Sequence, residues 1–120
     1  MVKQTKIEPF FAIQIIGKRD EQEDSYGICY GFKSQTSQIP ACFILADGMG
    51  GHSGGEVASQ TAIDSVKLVV ESCDVFDDRA LRDSLSAANL NIAECLKVNA
   101  DLEGMGTTLV VLIIIGENAF

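Results

Sequence analysis

Apolar and polar positions follow each other along this chain in blocks, and several of the apolar blocks predict strands. Runs rich in β-branched and aromatic residues, bounded by glycine or polar clusters, are typical of strands. The predicted strands are residues 10–16, 26–32, 41–46 and 109–115. The last run lacks alternation, which predicts that both of its faces are covered. A turn at 116–118 and a returning strand from Ala119 would complete a hairpin.

Two segments between the third and fourth predicted strands show helical periodicity. The first predicted helix spans residue 56 to about residue 73, and the second spans about 79 to 98. Ser53 and the glycines before the first helix supply an N-terminal cap, and Glu56 suits the positive end of its dipole. Both apolar stripes are predicted to be core and not a cofactor site. Their members are Val57, Ala58, Ala62, Ile63, Val66, Val69, Val70, Cys73, Leu81, Leu85, Ala88, Ile92, Cys95 and Leu96.

A glycine-rich loop separates the third strand from the first helix. Five glycines occur in the eight positions 48–55, and such a loop lets backbone approach a ligand closely. The strand is expected to stop at Asp47, whose carboxylate suits a hard cation, with the carbonyl oxygen of Gly48 as a second ligand. Taken alone, an Asp-Gly pair is more often a plain turn than a metal site.

The composition restricts the classes of partner. A chain of 120 residues makes one small domain or part of one, and a formal net charge of −8 argues against nucleic acid and anionic membranes as partners. The four cysteines lack Cys-x-x-Cys spacing, which favours buried reduced thiols over a zinc site or disulfides. No apolar run is long enough to span a bilayer. Because the N-terminal apolar run lacks a signal cleavage site, we expect a cytoplasmic protein.

Three separated motifs align in order along the chain. They read Arg-Asp-Glu-Gln-Glu-Asp-Ser at 19–25, Ala-Asp-Gly-Met-Gly-Gly-His at 46–52 and Gly-Met-Gly-Thr-Thr-Leu at 104–109. Their order and spacing closely resemble the N-terminal half of the metal-dependent type 2C protein serine/threonine phosphatases. The resemblance covers essentially the whole chain. Each motif alone is weak, but three in order with the expected strands and helices between them are specific.

The resemblance implies an α+β fold of a particular kind. That fold is a four-layer α-β-β-α sandwich of two antiparallel β-sheets with helices on the outer faces. Residues 1–120 would be the incomplete N-terminal portion of such a domain, truncated after the hairpin that follows residues 109–115. The resemblance also implies a pair of Mn²⁺ or Mg²⁺ ions at one edge of the sandwich.

The same resemblance implies roles for individual residues. Asp47 would be the carboxylate that bridges both metals, and Gly48 would bind one of them through its carbonyl. Glu23 would hold a metal-bound water, with Asp24 beside it in support, and Arg19 would bind the substrate phosphate. Two threonines would lie near the metals: Thr107 and Thr108.

These residue types suit phosphate ester hydrolysis. Two cations roughly 4 Å apart can share a water, lower its pKa and hold both oxygens of an in-line attack on phosphorus. A guanidinium can donate two parallel hydrogen bonds to a phosphate. His52 has two interpretations: a general acid for the leaving alkoxide, or a residue that orders the glycine loop.

The predicted function is therefore hydrolysis of phosphoserine and phosphothreonine in phosphoprotein substrates. The family's later metal carboxylates, in a second Asp-Gly pair and a near-terminal Asp-Asn, have no counterpart in residues 1–120. Since hard-cation affinity follows ligand number and charge, the chain alone is expected to be inactive, with the missing C-terminal half as a partner. One alternative is a non-catalytic binding or regulatory remnant of the phosphatase fold. A nucleotide-binding loop is disfavoured, because the Gly-Lys-Ser/Thr ending is missing and the glycine register is wrong.

Overall fold

The computed structural model of the chain describes residues 12–32, 35–36, 42–51, 53–115 and 117–120. The strands are β1 (Asp24–Cys29), β2 (Gly31–Phe32), β3 (Gln35–Thr36), β4 (Cys42–Met49), β5 (Gly106–Thr107), β6 (Val110–Ile115) and β7 (Asn118–Ala119). The helices are α1 (Gly54–Ser72) and α2 (Asp78–Val98), and a 3-10 turn spans Ala100–Leu102.

The main sheet is antiparallel and has β4 at its centre. Its strand order is β1-β4-β6-β7, and β5 pairs with the end of β4. β1 meets β4 in a register that places Asp24 opposite Asp47, and β6 meets β4 with Val110 opposite Leu45. β2 and β3 form a separate two-stranded hairpin.

Helix α1 packs on one face of this sheet, here termed the covered face. Alternate residues of β4 point towards the helix and are buried, whereas the residues between them are more exposed, as the pleat of a strand requires. The helix contributes its predicted apolar stripe to the core, so that prediction is confirmed for α1. The buried core residues here are Cys29, Cys42, Ile44, Ala46, Ile63, Val66, Val70 and Ile113.

Helix α2 packs against α1, and its buried positions are small residues. Asp77 caps it by accepting a 2.9 Å hydrogen bond from the backbone N–H of Ala80. Ala80, Ser84 and Ala88 recur at four-residue spacing and are buried. The predicted stripe on this helix is therefore partly wrong, since Leu85 is 42% exposed. Among the described residues, no helix combines the length and the apolar character needed to cross a bilayer.

The opposite face of the sheet, here termed the open face, carries large apolar side chains that remain exposed. A row of these side chains crosses three strands through Tyr26, Leu45 and Val110, which are directly opposite one another. Leu112 and Ile114 extend the exposed apolar surface along β6. The prediction that both faces of this last strand are covered is wrong within the described residues, because α1 covers only one of them.

One predicted strand is absent from the described residues, and another is longer than predicted. Residues 12–16 carry no strand, and residues 10–11 lie outside the described part of the chain. Strand propensity in this run is insufficient without a backbone partner. β4, in contrast, continues past Asp47 to Met49. The continuation arises because Gly48 N–H donates to the carbonyl of Glu23 at 3.1 Å and Thr108 N–H donates to that of Asp47 at 2.9 Å.

The predicted strand 26–32 is divided between β1 and β2, which lie in different sheets. The other predicted elements agree with the structure within a few residues. α1 begins at Gly54 instead of residue 56, and Ser53 occupies the N-cap position without a side-chain capping hydrogen bond. The C-terminal hairpin is confirmed, because β7 pairs with β6 and the backbones of Ile113 and Phe120 exchange two hydrogen bonds. The predicted α+β class with antiparallel sheet and external helices is thus observed.

Candidate metal and phosphate site

Two carboxylates stand opposite each other at one end of the open face. Asp24 on β1 and Asp47 on β4 are cross-strand partners, and both are exposed. Thr108 continues this row on the far side of β4. Its hydroxyl accepts a 3.0 Å hydrogen bond from the backbone N–H of Asp47, and its own N–H donates to the Asp47 carbonyl. The backbone of Asp47 is therefore fixed from both sides while its carboxylate faces solvent.

Glu23 lies beside these residues but projects to the covered face. Its carbonyl accepts the Gly48 N–H, and its side chain rests against the first turn of α1 at Gly55. Successive side chains of an extended segment point to opposite faces, so the carboxylates of Glu23 and Asp24 diverge. The glycine at 48 is required by space, because a Cβ there would overlap the carbonyl oxygen of Gly55 and lie 2.6 Å from that of Glu23.

Arg19 approaches the same acidic cluster from the preceding loop. Its Nη1 lies 3.8 Å from Oε2 of Glu23. The Arg19 side chain is 72% exposed, whereas that of Glu23 is 21% exposed. An ion pair of this length and exposure stabilises little. The guanidinium therefore keeps most of its donors available to a ligand.

A cleft of about 440 Å³ adjoins the two opposed carboxylates. Its walls include Asp24, Asp47 and Thr108 at the polar end and residues 12–15 along one side. Gln14 ties that segment to the strand by donating a 2.6 Å hydrogen bond from Nε2 to the carbonyl of Asp24. Sequence reasoning assigned residues 10–16 to a strand and did not predict this contact.

The donors at this edge fit a hard cation in kind but not in number. Carboxylate and carbonyl oxygens are the ligands that Mg²⁺ and Mn²⁺ prefer. Nevertheless, no group of three or more histidine, cysteine, aspartate or glutamate side chains within the described ranges is arranged to hold a metal. The described residues thus offer donors of a suitable kind but do not form a complete metal site.

Comparison with known proteins connects this arrangement to a family. No protein-family model matches the chain. The serine/threonine protein phosphatase PstP of Mycobacterium tuberculosis is 44% identical over 74 residues, which cover 61% of this chain and 14% of PstP. The serine/threonine phosphatase Stp of Listeria monocytogenes is 36% identical over 104 residues, which cover 79% of this chain and 38% of Stp.

A solved structure extends the similarity to the fold. The catalytic domain of PstP in complex with two manganese ions superimposes with a TM-score of 0.66 and 36% identity, over 82% of this chain and 39% of that one. The chain belongs to the type 2C protein serine/threonine phosphatase family. It matches the N-terminal part of the family's domain and spans between 14% and 38% of the length of these two curated relatives.

The three sequence motifs lie close together at one edge of the sheet. The first and second motifs meet where β1 pairs with β4, and the third reaches the same edge through Thr107, which pairs with Gly48. His52 lies outside the described residues, so its two interpretations stay open.

Buried contacts that support this edge of the sheet were missed by sequence reasoning. Ser25 and Ser59 share a 2.8 Å hydrogen bond between their hydroxyls in the buried layer between β1 and α1. Serine is common on surfaces, and no sequence spacing identified this pair in advance. The contact depends on how far α1 is shifted along β1, which is a tertiary property.

Proposed function

We propose that this chain carries the N-terminal part of the active site of a metal-dependent protein serine/threonine phosphatase. The observation that carries the proposal is the pairing of Asp24 with Asp47 at one end of the open face of the sheet. The adjacent Glu23 lies 3.8 Å from the exposed guanidinium of Arg19. The substrates would be phosphoserine and phosphothreonine in proteins. The manganese complex of PstP supports a metal requirement.

We assign the metal-facing roles to the residues at the end of β4. Asp47 would provide a bridging carboxylate and Gly48 a carbonyl oxygen, with Asp24 in support. Glu23 would orient a water near the cations. Two bound Mn²⁺ or Mg²⁺ ions would supply an activated water and offset the charge of the phosphate.

The phosphate-facing role falls to Arg19. A guanidinium donates paired hydrogen bonds to phosphate oxygens, and such charge-assisted bonds are stronger than neutral ones. The chain carries a formal net charge of −8, so a phosphate approaching it is repelled unless cations and this arginine offset the field. His52 would act as a general acid or would order the loop.

The incomplete ligand set predicts that the chain alone does not turn over substrate. Further carboxylates would have to come from the part of the family's domain that these residues do not match. The same observation favours a second candidate function, a non-catalytic regulatory remnant, because no three-ligand group occurs among the described residues.

A chimera separates these two functions. The matched N-terminal part of Listeria Stp would be replaced by this chain, and hydrolysis of a phosphothreonine peptide would be followed as Mn²⁺ is added. The proposal predicts Mn²⁺-dependent turnover that Asp47→Ala abolishes. Asp64→Ala is the control, since Asp64 is an exposed acid on α1 that bonds Gln60.

In the same chimera, Arg19→Ala should reduce kcat/KM. The corresponding loss of transition-state stabilisation should be about 1–3 kcal/mol, as for a lost charged hydrogen-bond pair. A folded chimera that hydrolyses nothing would favour the regulatory remnant.

A further inference from the structure

Helix α1 meets β1 along a seam whose facing residues are complementary in size. Three residues spaced by four on the helix face three residues spaced by two on the extended chain. Four helical residues advance about 6 Å and two strand residues about 6.6–6.8 Å, so the two spacings stay in step. The facing pairs are Gly55 with Glu23, Ser59 with Ser25, and Ile63 with Gly27.

The contacts along this seam are close at every step. At one end, a Cβ on Gly27 would lie 2.6 Å from Cγ2 of Ile63. In the middle, the hydroxyls of Ser25 and Ser59 are 2.8 Å apart. Wherever one side of the seam carries a larger side chain, the other carries none or a small one.

At the site end of the seam, the small residue is Gly55. A Cβ placed there would lie 2.4 Å from Oε1, 2.7 Å from Cδ and 3.0 Å from Cγ of Glu23. These three nearest atoms all belong to one side chain. Gly55 sits in the first turn of α1 without a positive φ, so the requirement for glycine comes from space and not from backbone conformation.

Glycine is otherwise a poor choice at this position. It is among the weakest helix formers, yet Gly54 and Gly55 both lie in the first turn of α1. A carboxylate close to a helix N-terminus is stabilised by the positive end of the helix dipole. The missing side chain at Gly55 thus admits the Glu23 carboxylate to a favourable location, with its other oxygen 3.8 Å from Arg19.

We infer that Gly55 is a positioning residue for Glu23. It sets the location of the Glu23 carboxylate relative to Gly48 and Asp47 by leaving the space that the carboxylate occupies. The importance of this location for metal binding rests on the proposed phosphatase function, whereas the contact itself does not.

A double-mutant cycle on the full 120-residue chain tests the contact. Gly55→Ala should lower the urea midpoint, because the new methyl displaces Glu23. In a Glu23→Ala background the obstacle is gone, and Gly55→Ala should raise the midpoint through its better helix propensity. Gly51→Ala is the matched control, because a Cβ on Gly51 meets nothing within 4 Å.

The sign reversal decides the inference. If Gly55→Ala lowers the midpoint equally in both backgrounds, Glu23 is not what requires glycine, and the inference is overturned. If Gly55→Ala fails to fold while the double variant folds, the inference is supported. Failure of both to fold would contradict it.

The Mn²⁺ affinity of the chimera with Listeria Stp, measured by electron paramagnetic resonance, tests the positioning role. Gly55→Ala should weaken Mn²⁺ binding by about tenfold or more, as is typical for residues that orient metal-site groups. Gly27→Ala disturbs the same seam at Ile63, away from Glu23, and should leave the affinity of the folded protein unchanged.

Equal weakening by both variants would reduce Gly55 to a structural residue. A chimera with the wild-type chain that binds no Mn²⁺ would contradict the proposed function and the positioning role together. The urea cycle would still decide the contact independently of that outcome.

Discussion

The two faces of the central sheet differ although they share the same strands. On the covered face, Ile44 is 1% exposed and packs beneath α1, whereas its neighbour Leu45 on the open face is 60% exposed. On the covered face, α1 packs closely against the sheet, with contacts that include Glu23 at one end and Ile113 in the core. The open face holds the Asp24 and Asp47 carboxylates beside an exposed apolar row. The covered face therefore holds the strands in place, and the open face carries the candidate site.

The largest expected effect comes from cutting back the covered face. Ile44→Ala removes buried methyl groups and leaves a cavity, which should lower the free energy of unfolding by about 2–5 kcal/mol. Leu45→Ala, one residue along the same strand, should change it by no more than about 0.5 kcal/mol. Urea denaturation of both variants measures the difference. Similar losses from the two variants would mean that the faces do not differ energetically.

A smaller loss is expected from the polar contact within the covered face. Ser59→Ala leaves the buried hydroxyl of Ser25 without this partner, at an expected cost of about 1–3 kcal/mol. Ser25→Ala in the same chain should then add little, because the two hydroxyls act as a pair. Ser86→Ala on the exposed side of α2 is the control. Additive losses from the two serines would refute the pairing.

The apolar surface of the open face can be measured by dye binding, with variants that hardly change the free energy of unfolding. Exposed contiguous apolar surface binds apolar dyes, so the chain should enhance the fluorescence of such a dye. Leu45→Lys should reduce that enhancement while altering the free energy of unfolding by about 0.5 kcal/mol or less. Leu68→Lys places the same charge at an exposed leucine of α1 and should leave the signal unchanged. Equal dye binding by all three proteins would argue against an apolar open face.

Thiol labelling tests the burial of the covered face without changing the stability of the protein. Cys29 and Cys42 face each other on the covered face and are buried. The hydrogen bond with Cys29, together with burial, raises the pKa of the Cys42 thiol. Both should label more slowly than Cys73 by at least about two orders of magnitude, since labelling requires unfolding.

Cys73 should respond to pH and salt. Partial burial and the negative charges of Asp77 and Asp74 raise the pKa of its thiol. Because the thiolate is the reactive form, its labelling should speed up as the pH rises and as added salt screens those charges. Rapid native-state labelling of Cys42 would contradict the burial of the covered face.

Sequence reasoning predicted the candidate site residues from three motifs and their resemblance to a known family. It placed Asp24, Asp47 and Gly48 in motifs that β1 and β4 bring together. It could not find the contacts of Ser59 and Gly55, since these depend on how α1 is shifted along β1. Sequence reasoning also ended the predicted strand at Asp47, because strand propensity is low there. In the structure the strand continues, since backbone hydrogen bonds from both neighbouring segments extend the ladder.

The covering of both faces of the last strand was predicted from the lack of alternation in its sequence. An unbroken apolar run has the same sequence pattern whether its second face is covered or open. The exposure of residues 110, 112 and 114 could therefore not be predicted from the sequence. Such exposure is what a sheet face awaiting another layer would show.

The most direct test of the account is phosphopeptide hydrolysis as Mn²⁺ is titrated from zero, measured on the 120-residue chain and on its chimera with Listeria Stp. The central claim is that these residues form part of a two-metal site. It predicts no turnover by the folded chain alone and Mn²⁺-dependent turnover by the chimera that is lost in Asp47→Ala. Turnover by the chain alone that also requires Asp47, or turnover by the chimera that survives Asp47→Ala, would contradict the claim.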